Sequence, residues 1–407
     1  MFLQKFTLTL LLFIFSFNTL AEFVLGQDNG KSGVVVTDES SQFKLKLGTR
    51  LQTSASVIEN NISNKNEAIQ NNDFYIRRGR FQVDAKFNKY FRFYMDIRND
   101  NSNQGDSGEG DFNIGDAFVE SNNLFGINGL KLRAFRAKVD VSRSQTISSS
   151  KLLYLDRSYI TDEAAQFVNH NRRASNIQLL GTFDKWYFQL VVGDGVESSK
   201  FNDAFGNNLA SGEITSQSFM SGMKVKFYPF SGWEDKKMKE SYLGRGKHFS
   251  FGIGGFQTHD INFINKNDDV GKVDRELITY ELSFHMNNFS FQSEYFHFNG
   301  VVKDLSSSSF ELGQSDGYYV HAEYVLENQK FLAPFIRYES WNRFKGETGF
   351  DLTSKVYGIN WYLQGNKMRI AVAVQLDSYG KNILESDALN NNFDQVNMLK
   401  VTSMWHY

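Results

Sequence analysis

The chain has 407 residues, a formal net charge of −2, 41% hydrophobic residues and no cysteine, which excludes disulfide scaffolds, zinc–thiolate centres and iron–sulfur ligand sets. The near-neutral charge gives no electrostatic ground for nucleic acid as a partner, and a mean hydropathy of −0.42 argues against a bundle of membrane helices. Two prolines against 39 phenylalanines point to a fold that needs almost every backbone N–H and carries a heavy aromatic load, as a membrane β-barrel with aromatic girdles does.

Residues 1–21 read as a secretory signal peptide. Lys5 supplies the positive start, Leu8 to Phe17 the apolar stretch, and Thr19-Leu20-Ala21 the small residues of a cleavage site. The apolar run is too short for a spanning helix of roughly 20 residues. Residues 22–41 are polar and turn-rich, and are expected to form a periplasmic lead-in to a barrel occupying 42–407.

Period-two alternation then recurs sixteen times. The candidate strands are about 43–53, 74–87, 91–98, 113–121, 129–141, 175–183, 186–193, 217–228, 248–257, 275–286, 289–298, 317–326, 331–340, 354–363, 367–377 and 397–407. In the third, Phe91, Phe93, Met95 and Ile97 alternate with Arg92, Tyr94, Asp96 and Arg98. Successive strand side chains point to opposite faces, so each segment has one apolar face and one polar face. Short joints such as Asp184-Lys185 and Asn287-Asn288 alternate with long polar ones. The pattern predicts an all-β fold, a transmembrane antiparallel up-and-down β-barrel of about sixteen strands with short periplasmic turns and long external loops. A soluble β-sandwich is the competing architecture, but it has no need of alternating joint lengths. One joint breaks the rule: 229–247 falls where a short turn belongs and is about nineteen residues long, as if a strand were missed or two merged.

With the apolar face in lipid, the other face lines the lumen. Early strands would then present Lys44, Lys46 and Arg50; Arg78 and Arg80; Arg92 and Arg98; Lys131 and Arg133; and, after a parity flip of the kind a β-bulge supplies near Ala134-Phe135, Arg136 and Lys138. Rings of Arg and Lys select anions in pores. Balance by Asp84, Asp96, Asp116, Glu120 and Asp140 is the alternative, giving a weakly selective general porin. The stretch 142–174 has a high apolar content for a solvated loop of its length. It is expected to fold inward and narrow the bore, with Lys151 and Arg157 at the constriction; an external loop packing on its neighbours is the alternative.

Several motifs resemble chemistry without its context. Gly313-Gln314-Ser315-Asp316-Gly317 spells a nucleophile elbow, but lies in a polar loop entering a strand, with no helix after it. The seven histidines have no metal-ligand spacing. No catalytic residue, metal ligand or cofactor is expected. An outer-membrane barrel hydrolase would need a Ser/His or Asp/His constellation near the rim, and the histidine positions make none obvious. The last strand places Leu399, Val401, Ser403, Trp405 and Tyr407 on one face. It resembles the sorting signal of bacterial outer-membrane proteins, through which the barrel-assembly machinery would be a partner.

Motifs in order over about 75–195 carry a family resemblance. They are Tyr75-Ile76-Arg77-Arg78-Gly79-Arg80-Phe81, Gly115-Asp116-Ala117-Phe118-Val119-Glu120, Gly129-Leu130-Lys131-Leu132-Arg133, Ala137-Lys138-Val139-Asp140-Val141-Ser142 and Asp156-Arg157-Ser158, with Arg172-Arg173 before the strand from Ile177 to Phe183. Together they are similar to those of the phosphate- and polyphosphate-selective outer-membrane porins. The resemblance implies a sixteen-stranded barrel in the bacterial outer membrane, in contact with its lipid. It also implies a homotrimer, a constricting third external loop, and passive diffusion of small anions such as phosphate or polyphosphate. The family usually has a proline followed by an aromatic where this chain has Asp140-Val141, and a carboxylate facing the lumen there would weaken an anion site.

Overall fold

The computed structural model describes residues 24–26, 34–38, 42–62, 68–102, 111–154, 156–169, 173–209, 212–230, 238–326, 331–383 and 393–406. The expected signal peptide, 1–21, and Tyr407 lie outside them. Two short strands, β1 (Val24–Gly26) and β2 (Val34–Asp38), precede the main wall. The wall begins with β3 (Phe43–Ile62), β4 (Ala68–Phe87), β5 (Phe91–Ser102), β6 (Asn113–Asn122), β7 (Leu130–Arg136), β8 (Ser175–Phe183) and β9 (Trp186–Gly193). An interrupted pair follows, β10 (Glu213–Ser216) and β11 (Met220–Phe227), both laddered to β12 (Lys247–Ile264). The wall continues through β13 (Val270–Met286), β14 (Phe289–Val302), β15 (Leu312–Tyr324), β16 (Leu332–Asn342), β17 (Asp351–Asn366), β18 (Met368–Tyr379) and β19 (Phe393–His406). Each strand runs antiparallel to its neighbours. The ladder of β19 with Arg50–Ile62 of β3 closes the sheet into a barrel of sixteen staves, with β10 and β11 sharing one stave.

Alternation in sequence becomes alternation across the wall. Along β13, Val273, Arg275, Leu277, Thr279 and Glu281 are buried, while Val270, Ile278 and Tyr280 are exposed. Leu51, Phe81, Val119, Leu132, Tyr295, Tyr357, Val374 and Val401 are likewise exposed, as a hydrocarbon-facing band requires.

The strand pattern differs from expectation in four places. First, β3, β4, β12 and β13 extend beyond their predicted ends, so the β3–β4 joint shrinks to residues 63–67. In the outer turns of β12 and β13 the outward face is largely polar (Asn262, Lys272, Asp274) while the inward face keeps Ile261, Phe263 and Val273, so the apolar-outward signal fades there. Second, residues 34–38 of the expected lead-in form a strand, β2. It pairs with Phe43–Leu47 on the edge of β3 that β19 covers from Arg50 onward, so the wall stays covered below the chain end. Third, the predicted strand 129–141 stops at Arg136. Ala134 and Phe135 are both exposed, so parity flips there, but the β7–β8 ladder runs through without a bulge and Phe135 makes the turn with φ +85°. Ala137, Val139 and Val141 then leave the wall and are fully buried. Fourth, the long joint between β11 and β12 hides no further strand among the described residues. Its end folds back: Glu240 N–H donates to the Lys151 carbonyl at 3.0 Å, and the Glu240 carboxylate accepts from Leu153 N–H at 2.6 Å and Ser144 Oγ at 3.2 Å. In addition, Gly313–Gly317 lies in β15 rather than in a loop.

The segment 137–174 carries two helices, α1 (Arg143–Thr146) and α2 (Tyr159–Phe167). Both begin on wall carboxylates. Glu294 of β14 accepts from Arg143 N–H (2.9 Å) and Ser144 N–H (2.8 Å), and Glu339 of β16 accepts from Tyr159 N–H (3.1 Å) and Ile160 N–H (2.6 Å). A negative charge at a helix N-terminus satisfies orphan donors and complements the helix dipole. The apolar side of α2 (Ile160, Ala164 and Phe167) packs on inward Phe256, Leu277, Phe296, Phe298 and Trp341. Phe167 meets Phe298 edge to face, with ring centroids 5.0 Å apart. An apolar cluster with α2 at its centre therefore fills part of the lumen against β12–β17.

Candidate functional site

The lumen also holds a cavity of about 760 Å³, bounded by β4, β5, β18, β19 and the inward segment. Eight cationic side chains line it: Arg77, Arg78, Arg80, Arg98, Arg136, Arg157, Arg173 and Lys400. Among the described residues four carboxylates do, Asp100, Asp111, Asp156 and Asp162. The sequence reading named five of the eight: Arg78, Arg80, Arg98, Arg136 and Arg157.

Wall strands aim most of the cluster. Arg78 Nη1 donates to Gln52 Oε1 across the β3–β4 ladder at 3.0 Å. Arg80 lies 3.2 Å from Asp100, which Arg98 meets at 3.7 Å. Arg173 Nε is 2.7 Å from Asp116 Oδ1. Arg173 Nη2 and Arg136 Nε are buried with no hydrogen-bond partner among the described residues. Arg157 sits deeper in the inward segment and donates to the Ser144 and Ile147 carbonyls at 2.9 and 2.8 Å. Burial lowers its pKa to about 10, so it remains a cation at neutral pH.

The remaining candidates lie outside the cavity lining. Arg50 reaches Ser149 Oγ at 3.1 Å, tying the inward segment to β3. Arg92 pairs with Asp84 at 2.8 Å. Lys131 and Arg133 both pair with the buried Glu120, at 3.0 and 2.6 Å. Lys138 lies 3.8 Å from Asp116. Lys44 and Lys46 are half-buried on β3, in register with Lys86 and Asp84. Lys151 is half-buried beside the returning joint. Asp140 departs from the family pattern but does not face open water. Lys224 and Lys226 hold it at 3.1 and 2.5 Å, and although burial pushes its pKa up, the two ammonium groups bring it well below the usual carboxylate range.

Three members of the cluster escaped the sequence reading. Arg77 falls on the lipid-facing parity of strict alternation, but the β3–β4 register shifts there, with Gln52 opposite Arg78 and Thr53 opposite Ile76, and the bulge brings Arg77 to the lumen. Two adjacent arginines in a spanning strand were the available signal, because one on the lipid side costs about 2–4 kcal/mol at the midplane. Lys400 sits on the polar parity of β19 and was readable by the rule applied to the early strands. Arg173 lies outside any periodic segment.

Asp156 is the meeting point. Arg77 Nε lies 3.0 Å from its Oδ1, Lys400 Nζ pairs with its Oδ2, and Arg337 Nη1 donates to its main-chain carbonyl at 2.7 Å. Burial alone would raise its pKa. Lys400 and then Arg77 outweigh that and hold the carboxyl well below the usual carboxylate range.

Ser315 Oγ of the elbow-like motif donates to the Asn342 carbonyl and accepts from Trp341 Nε1, both at 2.7 Å. Among the described residues, no group of three or more His, Cys, Asp or Glu side chains is placed to hold a metal ion.

The model of the family "Phosphate-selective porin O and P" matches residues 45–398. An uncharacterized protein of Aquifex aeolicus (strain VF5) is 22% identical over 410 residues, covering 90% of this chain and 92% of that one. Among solved structures, the outer-membrane channel DcaP of Acinetobacter baumannii superposes with a TM-score of 0.59 at 10% identity, covering 93% of this chain and all of that one. The anion-selective porin from Comamonas acidovorans gives 0.57 at 10% identity, covering 90% and 100%. At such identity these two likenesses speak for the barrel fold alone. The family match spans most of the chain, and with the closed sixteen-stave barrel it identifies the protein as a member of the phosphate-selective porin O and P family, a porin of the bacterial outer membrane.

Proposed function

We propose that the protein passes small anions by diffusion through the basic cavity beside the inward segment. The observation that carries this reading is the excess, among the described residues, of eight cationic over four anionic side chains around one cavity. Such a wall, set in a low-dielectric surround, concentrates anions and lowers their barrier relative to cations. The inward segment sets the width. With α2 seated on the apolar inner face of β12–β17, passage is confined to the side of β3–β5, β18 and β19. No step of this transport calls for a covalent intermediate.

Phosphate is the finer reading. Guanidinium forks meet tetrahedral oxyanions bidentately, and buried donors of Arg136 and Arg173 stand without protein partners among the described residues. The family's description points the same way. The test is planar-bilayer recording of refolded protein in a salt gradient. The reversal potential is expected on the anion side, and inorganic phosphate is expected to reduce chloride current. Cation preference would reject the anion reading, and indifference to phosphate would reject the finer one.

A further inference from the structure

The Asp156 carboxylate is held as a bound anion would be. Arg77 approaches from β4 and Lys400 from β19, so cations on opposite sides of the closure ladder converge on one group. Lys400 is almost fully buried, its side chain 7% exposed, whereas the Asp156 side chain is 25% exposed toward the cavity. Solvent thus reaches the pair past the carboxylate. The main chain around Asp156 does not depend on that carboxylate. Arg337 holds its carbonyl, Asn360 Nδ2 holds the Leu153 carbonyl at 3.1 Å, and Arg369 holds that of Leu152. The side chain can swing away while the backbone stays anchored.

We propose that Arg77 and Lys400 form an oxyanion site in the wall of the route, that Asp156 occupies it as an internal ligand, and that a permeating phosphate exchanges with this carboxylate. The inference rests on the anion route proposed above. With Asp156 in place, the two cations and the carboxylate sum to one positive charge. When it swings out, a doubly cationic pocket opens, with Arg78 beside it. An incoming oxyanion then replaces one ion pair by another, which avoids leaving buried cations unpaired, the costly state in a low dielectric. The exchange keeps the site from trapping the ion it admits.

The test compares chloride current and its block by inorganic phosphate in the full-length protein and its variants. Asp156→Asn keeps the side chain's shape and removes the competing charge. It is expected to lower the half-blocking phosphate concentration by about tenfold. Asp162→Asn removes the same charge from the same cavity, at a carboxylate that bonds Gln145 rather than a cation pair. It is expected to shift the block by less than about twofold, as a distant charge would. Adding Lys400→Met to Asp156→Asn should abolish the gain. Lys400→Met alone, which removes a ligand and leaves Arg77 paired, should weaken block severalfold and serves if Asp156→Asn does not fold. Equal effects of the two Asp→Asn changes, or a gain that survives Lys400→Met, overturns the exchange site. Cation preference of the wild-type channel in a chloride gradient overturns instead the transport reading beneath it.

Discussion

Arg92 and Arg98 share one strand and one face, yet only the second lines the cavity. Arg92 is neutralised by Asp84 at 2.8 Å, whereas Arg98 has, among the described residues, only Asp100 at 3.7 Å, and Arg80 already claims that carboxylate at 3.2 Å. A paired cation contributes little field beyond its own ion pair, while an excess cation beside a confined aqueous space acts on every passing ion. Arg98→Gln should therefore lower the anion-to-cation permeability ratio by roughly twofold or more. Arg92→Gln should leave it nearly unchanged. Reversal potentials in a chloride gradient check both, and equal effects would show that strand position rather than pairing decides. The early strands offered eleven inward cations to the sequence reading, and pairing distinguishes among them. Lys131 and Arg133 are absorbed by the single carboxylate of Glu120, which cross-strand register rather than sequence separation brings to them.

The spanning elements were legible because their rule is local. Sixteen period-two runs correspond to sixteen staves, and away from the bulge at Arg77 and the turn at Phe135 parity gave the lipid face. The bulges were not legible, since a register shift is decided by both partner strands. Gly300 shows what one demands. The β14–β15 register shifts between Asn299 and Val301, Gly300 takes φ +83°, and an added Cβ would lie 1.8 Å from the Asp274 carbonyl oxygen of β13. Gly300→Ala is expected to cost about 1–3 kcal/mol and to lower the temperature at which the folded barrel loses its compact electrophoretic mobility. A wild-type transition would mean the wall repacks there freely. The inward segment was legible as unusually apolar, but its anchors were not. Glu294 and Glu339, which no local sequence feature singles out, cap α1 and α2. A better signal lay on β14, where the inward parity turns from Ser290, Gln292 and Glu294 to Phe296 and Phe298, side chains that need an apolar partner inside the bore. Glu339→Gln keeps one acceptor oxygen but loses the charge at the α2 N-terminus. It should weaken the docking of α2 by about 1 kcal/mol, read as faster amide exchange at Tyr159 and Ile160 with the barrel transition unchanged.

At the scale of the whole molecule, two carboxylates respond to pH with opposite signs, one inside the bore and one in the loops at the far end. Asp156 has a depressed pKa, so its ion pairs stabilise the docked segment fully above the ordinary carboxylate value of about 4. They fail only as pH falls through its much lower folded value. Asp203, in the joint between β9 and β10, accepts from Asn207 N–H at 2.8 Å and Leu305 N–H at 2.9 Å, clasping that joint to the one after β14. Burial outweighs these donors, and with help from neighbouring Asp304 raises its pKa to about 6. An acid with a raised folded pKa binds its proton more tightly in the folded state. The clasp is therefore fully stable below about pH 4 and loses stability as pH rises through 6. The loss reaches up to roughly 3 kcal/mol, since each tenfold gain in proton affinity is worth about 1.4 kcal/mol. Hydrogen exchange, corrected for its intrinsic pH dependence, should show greater protection at Leu305 in going from pH 7 to pH 5, and flat protection across the residues docked beside Asp156. Loss of protection at Leu305 on acidification would show that the donors, not burial, govern that carboxylate. With Asp203 raised and Asp156 depressed, the external loops loosen as pH rises toward neutral while the route beneath them stays set, and a pH-dependent conductance is to be sought at the mouth rather than at the constriction.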